Sequence, residues 1–221
     1  MKKITIAMAD DHNLFRKGLI SLLKGYKELK VVTEAINGKE LLESIKQMQP
    51  QVVLLNIQMP VMNGIETLSL IKKKYPDIKV IILSGKIEEK LIFHSIEKGA
   101  NCFLNKDIEI KTLVEAIYSV MEKGYYFNEM ASKAMMKGVS YNKKNTLPAS
   151  SSSLSNREVD VVKLICKQKT IKEIADTLCL SPRTIDTYRE NIFQKTGAKN
   201  IVGVALYAIQ HNLLDFQLQN A

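Results

Sequence analysis

Cysteine is scarce in this chain of 221 residues, and the three present form no pattern. Cys102, Cys166 and Cys179 are odd in number, stand at no metal-ligand spacing and each sit beside apolar residues. Neither a disulfide framework nor a zinc site is expected from them. Buried, reduced thiols of a cytoplasmic protein are the reading that remains. Long apolar runs are missing as well. None approaches the about 18 uninterrupted residues of a spanning helix, so no membrane partner is expected. The start, MKKITIAMADDHN, carries two lysines, but its apolar stretch is short and broken by Asp10 and Asp11, unlike a signal peptide. Histidine is thin too: His12, His94 and His211 are too scattered along the chain to propose a metal site. Lysine outnumbers arginine 28 to 4, a bias typical of AT-rich bacterial genomes.

What the chain has is apolar content and positive charge. A hydrophobic fraction of 46% over this length supports two ordinary domains with real cores. The net charge of +9 permits a nucleic-acid partner without locating it. Residues 1–124 hold 19 basic against 15 acidic side chains, 125–150 hold 4 against 1, and 151–221 hold 9 against 7. The excess is therefore spread, and DNA binding has to rest on a motif.

Five short apolar runs, Ile4 to Ala9, Val31 to Ala35, Val52 to Leu55, Val80 to Leu83 and Cys102 to Leu104, alternate with longer segments of helical periodicity. Such βα alternation predicts an α/β domain, a doubly wound five-stranded parallel sheet with helices on both faces. Reactive groups of these sheets collect at the carboxyl ends of the strands. Asp10 and Asp11 follow the first strand, Asn56 ends the third, Ser84 ends the fourth and Lys106 follows the fifth, so all converge on one edge. After Gly124 the pattern weakens, with room for one short helix in YYFNEMASKAMMKG. YNKKNTLPASSSS then reads as a flexible linker at about 138–153. From Leu154 onward the pattern is helical only, which predicts a small all-α domain of four helices.

The stretch VVLLNIQMPVMNG, residues 52–64, runs as a buried strand into a carboxamide. A carboxylate oxygen at that place could attack phosphorus and ligate Mg²⁺; a neutral amide is a poor nucleophile and a weak ligand for a hard cation. The ordered set of an acidic pair (Asp10, Asp11), Asn56 followed by Met59, Pro60 and Gly64, a hydroxyl at Ser84, and GANCFLNKD with Lys106 resembles the receiver domain of bacterial two-component response regulators over residues 1–124. The resemblance implies a flavodoxin-like sheet, Mg²⁺ held by Asp10 and Asp11 and weakly by Asn56, and a phosphoacceptor position at Asn56, where the family carries aspartate. It also implies phosphoryl contacts from Ser84 and Lys106, and a switch aromatic at Phe103. A plain core role for Phe103 stands beside the switch role. Three origins fit Asn56: an introduced Asp→Asn change that holds the off state, a receiver silenced in nature, or an unrelated site. The intact surroundings favour the first.

Residues 154–214 resolve into four helices with readable starts. Ser155 with Glu158 and Thr170 with Glu173 form capping boxes, Ser181 precedes a proline at the first helical position, and Asn200 can cap the last helix. Ile174, Ala175 and Leu178, a turn at Cys179 to Ser181, and then Ile185 and Ile192 fit a helix-turn-helix with its second helix presented outward. This segment resembles the LuxR-type helix-turn-helix, and the linked pair resembles the NarL/FixJ subfamily of response regulators. Burying Ile185 and Ile192 would turn Arg183, Asp186, Thr187, Glu190 and Gln194 toward a major groove. Arg183, Thr184, Arg189 and Lys195 are candidate DNA contacts, with Lys172 reaching the backbone from the preceding helix. Asp186 and Glu190 suggest discrimination rather than affinity, since acidic groups repel phosphates but accept from cytosine N4; the alternative is that they are solvated helix charges. The apolar stripe of VGVALYAIQHNLL reads mostly as core, and the resemblance makes part of it a dimer face.

The resemblance therefore implies a DNA-binding transcriptional regulator with a receiver at 1–124, a linker at 125–153 and a DNA-binding domain at 154–216. Its implied partners are double-stranded promoter DNA, a sensor histidine kinase and, on activation, a second copy of itself. Asn56 would hold it unphosphorylated. The alternative is a degenerate receiver controlled by a ligand or protein partner. A phosphohydrolase built on Asp10 and Asp11 lacks an accompanying base or second metal cluster, so no enzyme is expected.

Overall fold

A computed structural model describes residues 3–128, 130, 131, 134, 154–167, 169–211 and 213. The chain divides into two compact units, Met1–Ala134 and Met135–Ala221. In the first, strands β1 (Ile4–Ala9), β2 (Leu29–Ala35), β3 (Val52–Asn56), β4 (Lys79–Ser84) and β5 (Cys102–Asn105) alternate with helices α1 (Asn13–Leu23), α2 (Gly38–Gln47), α3 (Gly64–Lys74), α4 (Glu89–Glu97) and α5 (Ile110–Glu122). All strand pairs are parallel, in the order β2-β1-β3-β4-β5. The doubly wound α/β sheet read from the apolar runs is present.

The period-2 alternation of a strand assigns its residues to two faces. Ile6, Met8, Val52, Leu54, Ile81, Leu83, Cys102 and Leu104 form one core with Leu19 and Leu23 of α1 and Leu113, Ala116, Ile117 and Val120 of α5. Their neighbours Ala7, Val53, Leu55, Ile82 and Phe103 are equally buried and point the other way. Continuous apolar runs result because both faces are covered. Edge strand β2 starts at Leu29, before the apolar run: Lys30 pairs with Thr5 through backbone bonds that do not depend on its polar side chain.

Beyond α5 the chain returns to the sheet. Tyr126 bridges Cys102 in parallel, and buried Asn101 ties this exit down: its Nδ2 donates to Gly124 O at 2.7 Å, and its Oδ1 accepts from Val80 N at 2.9 Å and Lys72 Nζ at 2.8 Å. Lys72 also donates to Ile78 O at 2.6 Å. Met130, Ala131 and Ala134 are helical, Ala131 and Ala134 being buried, whereas the linker expected at about 138–153 lies outside the described residues.

The second unit contains α6 (Asn156–Cys166), α7 (Ile171–Leu178), α8 (Pro182–Thr196) and α9 (Ile201–Gln210). Val161, Val162, Ile165, Ile174, Ile185, Ile192, Val202 and Val204 are among its buried apolar residues. Both capping boxes are formed, Ser181 caps α8 ahead of Pro182, and Asn200 Oδ1 accepts from Gly203 N at 2.8 Å. Each such cap is worth about 1 kcal/mol. At Glu173 the Thr170 backbone and hydroxyl, with Lys169, hold the carboxyl down at about 2. One expectation needs correcting. Only Cys102 is buried; Cys166 is half-buried, and Cys179 is exposed in the left-handed turn after α7, where Leu180 N–H reaches back to Ala175 O at 2.9 Å. A turn residue of this kind has little packing around it whatever its polarity. Among the described residues no helix is long and apolar enough to cross a membrane.

Burial of Lys72, reinforced by Lys79, lowers its ammonium from 10.5 to about 7. The unfolded chain thus binds more protons than the native one between those values, and this residue makes stability rise with pH across that window. Urea unfolding of the full chain at pH 7 and pH 9.5 should show a larger gain for the native sequence than for Lys72→Met. Equal gains would remove Lys72 as the source.

Candidate functional site

The carboxyl ends of β1, β3, β4 and β5 deliver Asp10, Asn56, Ser84 and Lys106 to one edge of the sheet. Asp10 has no exposed surface. Lys106 Nζ lies 2.7 Å from its Oδ2, and His12 N–H donates to its Oδ1 at 2.9 Å. The Lys106 side chain is itself only 14% exposed and lies over the Phe15 ring, 4.8 Å from its centroid, so the ion pair is shielded from water.

Asn56 is 4% exposed, and its carboxamide has a defined direction. Nδ2 donates to Asp11 Oδ1 at 2.9 Å and to Gln58 O at 2.7 Å. The reversed amide would press its oxygen against two acceptors, so the hydrogen-bond pattern fixes which end faces Asp11. The following loop brings α3 back against this strand end. Gly64 N–H bonds Ile57 O at 2.8 Å, and any Cβ at 64 would collide with the Asn56 backbone oxygen. Val61 sits at φ 66°, with Met62 N–H on Pro60 O at 2.7 Å, a tight turn that is strained for a β-branched residue.

Ser84 is buried, but its hydroxyl bonds the Lys86 backbone, donating to O at 3.0 Å and accepting from N at 3.1 Å. Its carbonyl receives the Lys106 N–H at 3.0 Å, which sets the start of the loop carrying that lysine. Phe103 is fully buried, in register with Ile82. Asn56 is thus bonded to Asp11 and Lys106 to Asp10, Ser84 is linked to Lys106 through backbone, and Phe103 is part of the packed sheet face.

Several site residues escaped sequence reasoning. His12, set aside there as unconnected to any metal set, places Nδ1 3.3 Å from Asp10 Oδ1 and 3.1 Å from Asp11 Oδ1. Linear spacing of the three histidines could not show this, although adjacency to two aspartates could have. Ligand atoms of Asp10, Asp11 and His12 lie within 4.8 Å of one another. Two carboxylates and the nearby Gln58 carbonyl are oxygen donors of the kind a hard divalent cation takes. Arg16, 6% exposed, donates to Asp10 O at 2.6 Å, Asn13 Oδ1 at 3.0 Å and Glu34 Oε2 at 3.1 Å. Its planar fork anchors the strand end beneath the acidic pair. The rarity of arginine was a signal that could have singled it out.

In the second unit, burial of Ile185 and Ile192 leaves Arg183, Asp186, Thr187, Glu190 and Gln194 exposed on α8, and Lys172 exposed on α7. Thr184 belongs to the cap, with its hydroxyl 2.8 Å from that of Ser181. Arg189 Nη1 bonds Asp186 Oδ1 at 3.1 Å, so Asp186 carries a partner of opposite charge. Lys195 reaches across to the buried Glu158 at 2.8 Å. Burial of Glu158 works to raise its carboxyl, but Lys195 and Ser155 outweigh that and the net shift is downward.

Residues 6–118 match the response regulator receiver domain, and residues 152–208 match the bacterial regulatory proteins of the luxR family. The chain belongs to the LuxR-family response regulators. Similarity extends over whole relatives. The transcriptional regulatory protein LnrK of Bacillus subtilis is 32% identical, with 96% of this chain and 100% of LnrK covered. The response regulator GacA of Pseudomonas aeruginosa is 30% identical, with 96% and 98% covered. The crystal structure of ChrA, a response regulator of a heme-sensing two-component system, shares 27% identity at a TM-score of 0.52, covering 97% of this chain and 100% of ChrA. The regulator is accordingly a DNA-binding transcriptional response regulator of the two-component type. The helix α8 described above lies inside its luxR-family region.

Proposed function

We propose that Asn56 stands at the phosphoacceptor position of the receiver, so that this regulator rests unphosphorylated with a complete DNA-binding domain attached. The observation that carries the reading is the place of Asn56, at the end of β3 and hydrogen-bonded to Asp11. A carboxylate there would meet the acidic pair and Lys106; the amide supplies neither the nucleophile nor a strong ligand. Asp10 and Asp11 would hold Mg²⁺, which when bound supplies positive charge to a phosphoryl group. Lys106 would pair with phosphoryl charge, Ser84 would turn its hydroxyl from Lys86 toward it, and Phe103 would report the change to the sheet face. These roles suit a sensor histidine kinase as phosphoryl source and dimerisation as the response.

On the DNA side, the exposed Arg183, Asp186, Thr187 and Glu190 would face base edges, with Lys172 on the backbone and Arg189 holding Asp186 in place. Lys195 would serve the domain's stability through Glu158 as much as it serves DNA. The helix-turn-helix boundaries at 154–216 and the receiver at 1–124, joined through 125–153, are the functional division this reading uses.

Intact-mass measurement with acetyl phosphate and Mg²⁺ tests the receiver side. Asn56→Asp should gain one phosphoryl group and the Asn56 chain none. If neither gains mass, the receiver is degenerate and control by a ligand or protein partner becomes the better account. For the DNA side, Thr187→Ala and Glu190→Ala should change sequence preference more than non-specific affinity in competition binding. Equal losses on selected and random duplexes would remove both from base readout.

A further inference from the structure

The Asn56 carboxamide does more than omit a nucleophile. Its Nδ2 stands between two oxygens, Asp11 Oδ1 at 2.9 Å and Gln58 O at 2.7 Å, and donates one hydrogen to each. A carboxylate and a carbonyl converging at that range are what a hard divalent cation seeks. The other polar atoms of the pocket also have partners within the chain. Lys106 Nζ lies on Asp10 Oδ2, His12 N–H on Asp10 Oδ1, and His12 Nδ1 beside both aspartates. Burial makes these bonds persistent: Asn56 is 4% exposed, and Gly64 packs directly on its backbone with no room for a side chain.

We propose that the Asn56 amide nitrogen occupies the cation's place, bridging Asp11 and Gln58 so that Mg²⁺ must break two hydrogen bonds to bind. The pocket's donors and acceptors are then paired among themselves, and the regulator keeps its resting arrangement with or without the metal. This rests on Asn56 being the phosphoacceptor position, but it makes a separate demand. An amide that was merely a weak ligand would leave a cation site that is poor for want of a donor. An amide that competes leaves one that improves when it is deleted, because a released carboxylate oxygen and a water can serve the metal.

MgCl₂ titrations of the full chain, followed by the Asp11 and Gln58 backbone amide resonances, separate the two. Asn56→Ala should bind Mg²⁺ about tenfold more tightly than the Asn56 chain, and Asn56→Asp more tightly still. Asn56→Ser, which also lacks the two-pronged donor, should tighten in the same direction and decides the matter if the alanine variant does not fold. Equal or weaker Mg²⁺ binding by the folded alanine or serine variant would overturn the proposal. The phosphoacceptor reading fails by a different result, absence of acetyl-phosphate labelling in Asn56→Asp, which leaves the ranking of the asparagine and alanine forms untouched.

Discussion

A carboxylate with no exposed surface costs several kcal/mol unless its charge is met, and Asp10 is such a group. Much of the edge where four strands end follows from meeting that charge. Lys106 must come back over Phe15 to reach it, which ties the loop after β5 to α1. Arg16 separately holds the Asp10 backbone carbonyl and pairs with Glu34, which ties α1 to β2. The parallel sheet supplies the convergence, and the ion pair fixes its chemistry.

Asn56 sits inside this constraint. Placed beside an acidic pair, a third carboxylate would add repulsion that only a cation relieves, whereas the amide brings its own donors. An amide rather than a carboxylate at this place therefore sets the electrostatic balance of the pocket. The loop after the strand makes a strained turn at Val61 and returns with Gly64 packed on the Asn56 backbone.

The fold was legible because its signals are local or periodic. Apolar runs placed all five strands within a few residues, and the caps at Ser155, Thr170, Ser181 and Asn200 depend on neighbours three positions away. The site was legible only as a set of strand-end residues. What joins them is non-local: Arg16 to Glu34, Lys106 to Phe15, Asn56 to Asp11 and Lys195 to Glu158 close over long stretches of chain, and no spacing announces them. His12 was missed for a related reason, since scattered histidines hide one that lies beside two aspartates. Cys179 went astray because apolar neighbours in sequence do not bury a residue at a left-handed turn.

Two compact units on one chain make sense as a switch only if the state of the first biases what the second does on DNA. If Asn56 holds the receiver in one state, a phosphodonor has nothing to act on. The most direct measurement is affinity for a duplex selected on the regulator itself, with and without acetyl phosphate and Mg²⁺. Affinity of the Asn56 chain should stay constant while that of Asn56→Asp rises about tenfold, within the usual range of coupling between sites. An Asn56 chain whose DNA affinity responds to the phosphodonor would contradict the account at its centre.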